Sequence, residues 1–238
     1  MTRILCALLV AVLPFGALAA GHSKAHAAKV SEAAFTKDGE PNIQSHGVLV
    51  LDPTTGQTLF SKNADTAAPI ASLTKLMTAM VVLDAKLSMD EAIEITREDV
   101  DTFKNSSSRL PVGSHFRRED LLRLALMASD NRAASALGRN YPGGITAFVA
   151  QMNAKALTLG LTQTHYVDSS GLSPANVSSP QDLARLVAAA AKYPLISEYS
   201  TTGSVNVTLP NTTRKLNFVN TNALVRSSDW EIGLSKTG

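Results

Sequence analysis

The stretch that decides the fold is Pro69-Ile-Ala-Ser-Leu-Thr-Lys-Leu-Met-Thr-Ala-Met80. Apolar side chains recur from Leu73 at i, i+3, i+4, i+7 and i+8, which is the pattern of one buried face of a helix. The spacing predicts a helix over 72–86. Because residues three apart share a helix face, we expect the hydroxyl of Ser72 to meet the amine of Lys75 at the start of this helix.

A Ser-x-x-Lys pair can support nucleophilic chemistry. A serine hydroxyl is a weak nucleophile until a base takes its proton, and a lysine does this only as the neutral amine. The pKa of Lys75 would have to fall from about 10.4 towards 7 to 8. Partial burial and nearby cations would lower it, and Lys236 is one candidate cation. The structural alternative is that Ser72 is a helix N-cap and Lys75 a solvated residue of the first turn.

A second polar turn, Ser129-Asp-Asn131, separates two apolar segments that are predicted as helices over 117–127 and 132–139. These residue types suit the N-cap of the second helix, which is the structural interpretation. The functional interpretation is that Ser129 relays a proton to a leaving amine while Asn131 hydrogen-bonds a substrate amide.

A third motif, Lys236-Thr-Gly238, lies on a strand predicted over 231–238. Lys236 and Thr237 could hold a substrate carboxylate. Gly238 would let an extended peptide lie close against the strand edge.

The remaining pattern predicts strands at both ends of the chain around a helical middle. Runs at 47–52 and 57–61, separated by a Pro- and Gly-containing turn, predict a hairpin. Further helices are predicted over 145–159 and 180–192, and further strands over 204–209 and 215–219. We therefore expect an α/β protein of the α+β kind, in which an antiparallel sheet is flanked by helices and joined to an all-helical subregion.

The N-terminus predicts export. Residues 1–20 combine Arg3, an apolar run and an Ala-Leu-Ala-Ala ending, which is the layout of a secretory signal peptide, and the cut could fall as late as residue 28. The apolar run is too short for a comfortable membrane span. We interpret 21–43 as a flexible lead-in and 44–238 as the folded domain, located outside the cytoplasm in the periplasm. The single cysteine, Cys6, lies in the leader.

Composition argues against several function classes. The chain is 45% apolar and 18% charged with a formal net charge of +2, so we expect no nucleic-acid partner. No Walker loop, Gly-x-Gly-x-x-Gly or Gly-x-Ser-x-Gly motif is present, and we expect no cofactor. The histidines do not form a close ligand set, so we expect no metal. These histidines are His22, His26, His46, His115 and His165.

With its three motifs in this order, the sequence resembles the low-molecular-mass penicillin-binding proteins, the D-alanyl-D-alanine carboxypeptidase and endopeptidase family. The segments Leu126–Ala134 and Gly171–Asn176 also resemble family segments. Within the family, 77–85 and 141–144 resemble the endopeptidase branch, which hydrolyses cross-links between glycan strands. The resemblance implies the fold of serine β-lactamases and penicillin-binding transpeptidases.

The resemblance also implies an acyl-enzyme mechanism on peptidoglycan peptides without a metal. Ser72 would attack the carbonyl of the D-Ala residue before the scissile bond, and Lys75 would take its proton. Ser129 with Lys236 would help to protonate the departing amine, while Lys236 and Thr237 would bind a carboxylate. β-Lactams would acylate Ser72 and leave it slowly.

Family chains continue past Lys-Thr-Gly, so the resemblance implies that the C-terminal strands and one oxyanion-hole donor are missing here. We expect a truncated, weakly folded or inactive product on this ground. A class A β-lactamase is the enzymatic alternative, although neither Glu198 nor Glu231 lies in the Glu-x-x-Leu-Asn segment of that class. A catalytically silent wall-binding protein is the other alternative, and the choice between carboxypeptidase and endopeptidase stays open.

Overall fold

The computed structural model of the chain describes Phe35, 39–209 and 213–238. The predicted signal peptide at 1–20 and most of the lead-in at 21–43 lie outside the described residues. Within the described part of the chain, no helix is long and apolar enough to cross a membrane.

The described residues form eight strands and six α-helices. The strands are β1 (Val48–Leu51), β2 (Thr58–Lys62), β3 (Ala68–Pro69), β4 (Ala92–Glu94), β5 (His115–Arg117), β6 (Val177–Ser178), β7 (Ser204–Thr208) and β8 (Lys215–Val219). The helices are α1 (Thr74–Asp84), α2 (Arg118–Met127), α3 (Asn131–Arg139), α4 (Gly144–Thr158), α5 (Pro180–Ala190) and α6 (Pro194–Ser200).

The strands pair in antiparallel fashion, which confirms the α+β class. They form four separate two-stranded ladders, β1 with β2, β3 with β6, β4 with β5 and β7 with β8. The predicted hairpin is present, and the two strands predicted over 204–209 and 215–219 pair with each other as a second hairpin. β1 and β2 place Val48 opposite Lys62, and β7 and β8 place Ser204 opposite Val219. Among the described residues these two hairpins do not join into the single sheet that the sequence pattern suggested.

The prediction of a strand over 231–238 is wrong for the described chain. This segment carries the Lys-Thr-Gly motif but has no ladder partner among the described strands. The backbone N–H of Ser235 donates to the hydroxyl of Ser200 at 3.2 Å. The Ser235 N–H therefore has a side-chain acceptor, whereas in a strand it would donate to the backbone carbonyl of a neighbouring strand.

Helix α1 is the centre of the core. The sequence predicted one buried stripe, but every residue from Thr74 to Val82 is buried, because α2, α3, α4, α5 and α6 all pack against this helix. The polar residues Thr74, Lys75 and Thr78 are therefore buried with the apolar ones. Burial of polar groups requires internal hydrogen bonds, and these build the site described next.

The predicted boundaries of α2 to α5 agree with the structure to within two residues, and two of these helices begin at a side-chain cap. Asp130 caps α3 by accepting the backbone N–H of Ala133 at 2.9 Å. Ser179 caps α5, with Pro180 in its first turn. The short helix α6 and the two-residue strands β3 and β6 were not predicted.

Candidate active site

Ser72 lies half-buried in a 3-10 turn, Ala71–Leu73, immediately before α1. Ala71 has φ +46°, in the left-handed region that costs a residue with a Cβ atom free energy. Gly171 packs against this turn with φ +84°, and a Cβ atom on it would lie 1.9 Å from the Ala71 carbonyl oxygen. Only glycine therefore allows the two backbones to approach so closely beside Ser72.

Lys75 is fully buried, and its amine reaches three neutral oxygens. The Nζ atom lies 2.8 Å from Ser72 Oγ, 2.7 Å from Asn131 Oδ1 and 2.6 Å from the carbonyl oxygen of Ser170. An ammonium group could donate one hydrogen to each oxygen. A neutral amine could instead donate to Asn131 and Ser170 and accept the hydroxyl hydrogen of Ser72. The same three contacts therefore serve both protonation states.

Burial lowers the pKa of Lys75 to about 7, which is the range that a general base needs near neutral pH. The carboxylates of Asp130 and Asp168 oppose this shift, and the charge of Lys104 adds to it. Burial is the largest cause of the shift at Lys75, and Lys104 is a cation that adds to it. Lys236, the candidate cation from the sequence, lies close enough to repel Lys75, and this repulsion lowers the pKa of Lys236.

The loop at 168–171 supplies the third contact of Lys75, through the carbonyl oxygen of Ser170, and sequence analysis assigned it no role. The Asp168 carboxylate accepts the backbone N–H groups of Ser170 and Gly171, each at 2.6 Å. The carbonyl oxygen of Ser169 accepts the hydroxyl of Thr78 on α1 at 2.6 Å. An Asp followed by small residues and Gly is a turn signal. However, only the tertiary contacts show that the turn delivers the Ser170 carbonyl to the lysine.

The third motif forms a second polar cluster. Lys236 is buried and donates to Ser129 Oγ at 2.8 Å and to the Thr237 carbonyl oxygen at 2.6 Å. Burial, and then the charge of Lys75, lower the pKa of Lys236 well below its usual value. The hydroxyls of Thr237 and Thr221 lie 2.7 Å apart. Thr221 had no motif to mark it and was missed.

The structure thus brings all the predicted site residues to one region. Asn131, the first residue of α3, contacts Lys75, while its neighbour Asp130 has the capping role of the structural interpretation. Gly238 lies beside the turn that carries Ser72, since a Cβ atom on it would be 3.3 Å from the Leu73 side chain. Within the described ranges, no group of three or more His, Cys, Asp or Glu residues could hold a metal ion.

This fold and this arrangement resemble those of the penicillin-binding transpeptidases. The chain is similar to the crystal structure of the Streptomyces K15 DD-transpeptidase, with a TM-score of 0.76 and 30% sequence identity. The match covers 83% of this chain and 81% of that chain. The expected penicillin-binding fold is confirmed.

The family follows from the sequence match. The model of peptidase family S11, described as D-alanyl-D-alanine carboxypeptidase, matches 34–238. The chain belongs to this family, and the resemblance predicted from its motifs is confirmed.

Two curated relatives are D-alanyl-D-alanine endopeptidases. The chain is 49% identical over 199 residues to the enzyme of Pseudomonas aeruginosa and 45% identical over 206 residues to that of Escherichia coli. These matches cover 84% and 87% of this chain. They cover 64% and 66% of the relatives, so the chain spans just under two thirds of their length.

Proposed function

We propose that this protein is a serine-type D-alanyl-D-alanine peptidase that hydrolyses peptidoglycan peptides through an acyl-enzyme on Ser72. The observation that carries the proposal is the fully buried amine of Lys75, 2.8 Å from Ser72 Oγ. Because burial lowers the pKa of Lys75 to about 7, a large fraction of the amine is neutral near neutral pH and can accept the hydroxyl proton.

In the first step, Ser72 Oγ attacks the carbonyl carbon of the D-Ala residue before the scissile bond, and its proton passes to Lys75 Nζ. The Asn131 and Ser170 oxygens, at 2.7 and 2.6 Å, then accept hydrogens from the ammonium that forms. The positive charge that develops on Lys75 is therefore stabilised by oxygens that are already in position, which lowers the free energy of the transition state.

Collapse of the tetrahedral intermediate breaks the peptide bond, and the departing amine requires a proton. Ser129 is suited to relay it, because its hydroxyl lies 2.8 Å from Lys236 Nζ and can regain from that group the proton that it gives to the amine. Lys236 and Thr237 bind a substrate carboxylate, and Asn131 hydrogen-bonds a substrate amide. Gly238 leaves room for the extended peptide. Water then attacks the acyl carbonyl carbon and gives a proton through Ser129 to Lys236, while the ester bond breaks and Ser72 Oγ takes back its proton from Lys75.

Within this activity we propose endopeptidase action on cross-links. Both relatives described above carry the name D-alanyl-D-alanine endopeptidase and share 49% and 45% identity with this chain. We further propose that 1–20 is a cleaved signal peptide, 21–43 a lead-in and 44–238 the peptidase domain. The enzyme would then act in the periplasm, where its cross-linked substrate lies.

Labelling with a fluorescent penicillin tests the acyl-enzyme. We expect a covalent adduct on Ser72 that is absent in Ser72→Ala. Ser61 is an exposed residue of β2, and Ser61→Ala is the control that should label normally. A folded chain that forms no adduct would contradict the peptidase and support a wall-binding protein. Digestion of cross-linked muropeptides then tests the finer proposal, since release of free D-alanine without cleavage of cross-links would contradict the endopeptidase.

A further inference from the structure

The orientation of the Asn131 amide controls whether Lys75 can act as a base. Asn131 Oδ1 lies 2.7 Å from Lys75 Nζ, and Asn131 Nδ2 lies 2.8 Å from Ser106 Oγ. In this orientation the neutral amine donates to the amide oxygen and its lone pair remains available to Ser72. A reversed amide would direct an N–H group at that lone pair and block it.

A loop outside the three motifs favours the productive orientation. The carboxylate of Asp101 accepts the backbone N–H groups of Phe103 at 2.8 Å, Lys104 at 2.9 Å and Ser106 at 2.8 Å. These bonds close the turn that presents the Ser106 side chain to Asn131. Asp101 and Ser106 are both half-buried at the edge of the site.

The hydroxyl of Ser106 has one hydrogen, and Asp101 attracts it. Burial opposes ionisation of Asp101, but hydrogen bonds from the Ser106 side chain and from the backbone lower the pKa of this carboxyl to about 2. A carboxylate only accepts hydrogen bonds, and this one already accepts the Ser106 backbone N–H at 2.8 Å, so it draws the hydroxyl hydrogen towards itself. The hydroxyl oxygen accepts the Asn131 N–H at 2.8 Å. The amide must then direct its NH₂ group at Ser106 and its oxygen at Lys75.

We propose that Ser106, oriented by Asp101, is a positioning residue that fixes the Asn131 amide and so keeps the lone pair of Lys75 directed at Ser72. This inference rests on the proposed function. It extends the candidate site to Asp101 and Ser106, which none of the three sequence motifs includes.

The charged groups around Lys75 are the same with and without the Ser106 hydroxyl. Asp130 and Asp168 raise the pKa of Lys75, Lys104 lowers it, and Lys236 is the other buried cation near it. Ser106 is uncharged. A change at Ser106 therefore acts on Lys75 through the hydrogen bonds of the amide and leaves the surrounding charges in place.

The test is the rate of Ser72 acylation by fluorescent penicillin as a function of pH in the 238-residue chain. In Ser106→Ala the amide can reverse, and we expect the plateau rate to fall about two- to tenfold. The acidic limb of the rate–pH profile is the range in which Lys75 becomes protonated. It should move to lower pH, because the Lys75 ammonium loses the oxygen of Asn131 as an acceptor and its pKa falls. Asp101→Asn should change both quantities in the same directions, because an amide at this position can donate to Ser106.

Two further variants separate positioning from loop stability. Ser106→Thr keeps the hydroxyl, so its plateau rate and the pH of its acidic limb should match those of the wild type. Ser107→Ala changes an exposed neighbouring residue and should leave both quantities unchanged. A merely structural role would reduce the fraction of chain that is labelled without moving the limb, which would overturn the proposal. A wild-type rate and limb in Ser106→Ala would overturn it too. Absence of labelling in the wild-type chain would instead overturn the proposed function, and this inference with it.

Discussion

A cation lies at each end of α3, and the two cations have opposite surroundings. At the first residue of the helix, Asn131 meets Lys75, whose three hydrogen-bond acceptors are all neutral oxygens. At the last residue, Arg139 forms an ion pair with Asp99 at 2.8 Å, and the Asp99 side chain is fully buried. Asp99 also accepts the hydroxyl of Ser135 at 2.9 Å.

The pKa values show what this difference means. Hydrogen bonding to Asp99 raises the pKa of Arg139, so its charge is permanent and the pair holds the fold together. Burial without a directly bonded carboxylate lowers the pKa of Lys75, so its proton is exchangeable. A buried cation that lacks a partner charge costs stability and is typical of a functional site. The same helix thus supports a structural cation at one end and a titratable one at the other.

The largest effect is expected at the titratable end. Lys75→Met should lower the rate of Ser72 acylation by roughly 10²- to 10⁴-fold, because the variant has no base to take the hydroxyl proton. Stopped-flow measurement with a chromogenic β-lactam would give the rate. A rate within threefold of the wild type would contradict the assignment of Lys75 as the base.

Lys75→Met should also change how the free energy of unfolding depends on pH. Lys75 has a pKa of about 7 when folded and 10.5 as its ordinary value, so the unfolded state binds more protons between these values. The free energy of unfolding of the wild type should therefore rise with pH across this window. Lys75→Met should lose part of that rise, and the remainder should come from Lys236. Urea unfolding at several pH values would measure it, and equal slopes in both proteins would contradict the buried lysine.

At the Arg139 end of α3 we expect a small effect on the acylation rate and a large effect on the free energy of unfolding. Arg139→Met leaves the buried carboxylate of Asp99 without its cation and should lower the free energy of unfolding by about 3–5 kcal/mol. The acylation rate per folded molecule should stay close to that of the wild type. Arg139→Lys, which keeps the charge, provides the matched control with a smaller loss. Loss of acylation in folded Arg139→Met would show that the two ends are not independent.

The smallest effect is expected from a surface charge that acts on the titratable end. Lys104 is exposed and lowers the pKa of Lys75, so Lys104→Met should raise that pKa by a few tenths of a unit. The acidic limb of the acylation profile should move to higher pH by the same amount at low salt. Added salt should reduce the difference, and a shift to lower pH would contradict the sign.

Much of the local structure could be predicted because its causes are local. Helical periodicity placed α2, α3 and α5, the polar turn Ser129–Asn131 marked the start of α3, and the spacing of Ser72 and Lys75 predicted their contact. The strand predicted over 231–238 failed because alternation of side chains does not supply a hydrogen-bonding partner. The short strands β3 and β6 were missed because two residues carry no periodicity.

The sequence by itself determined the family, the order of the polar motifs and the face of the turn that Ser72 and Lys75 share. These depend on residues close together in the chain or on residue identity alone. Only the tertiary structure decided that Lys75 is completely buried and that Ser170 and Asn131, from distant segments, supply its acceptors. The pKa of a lysine depends on the solvent excluded around it and on the groups that replace that solvent. These groups are brought together only when the chain folds.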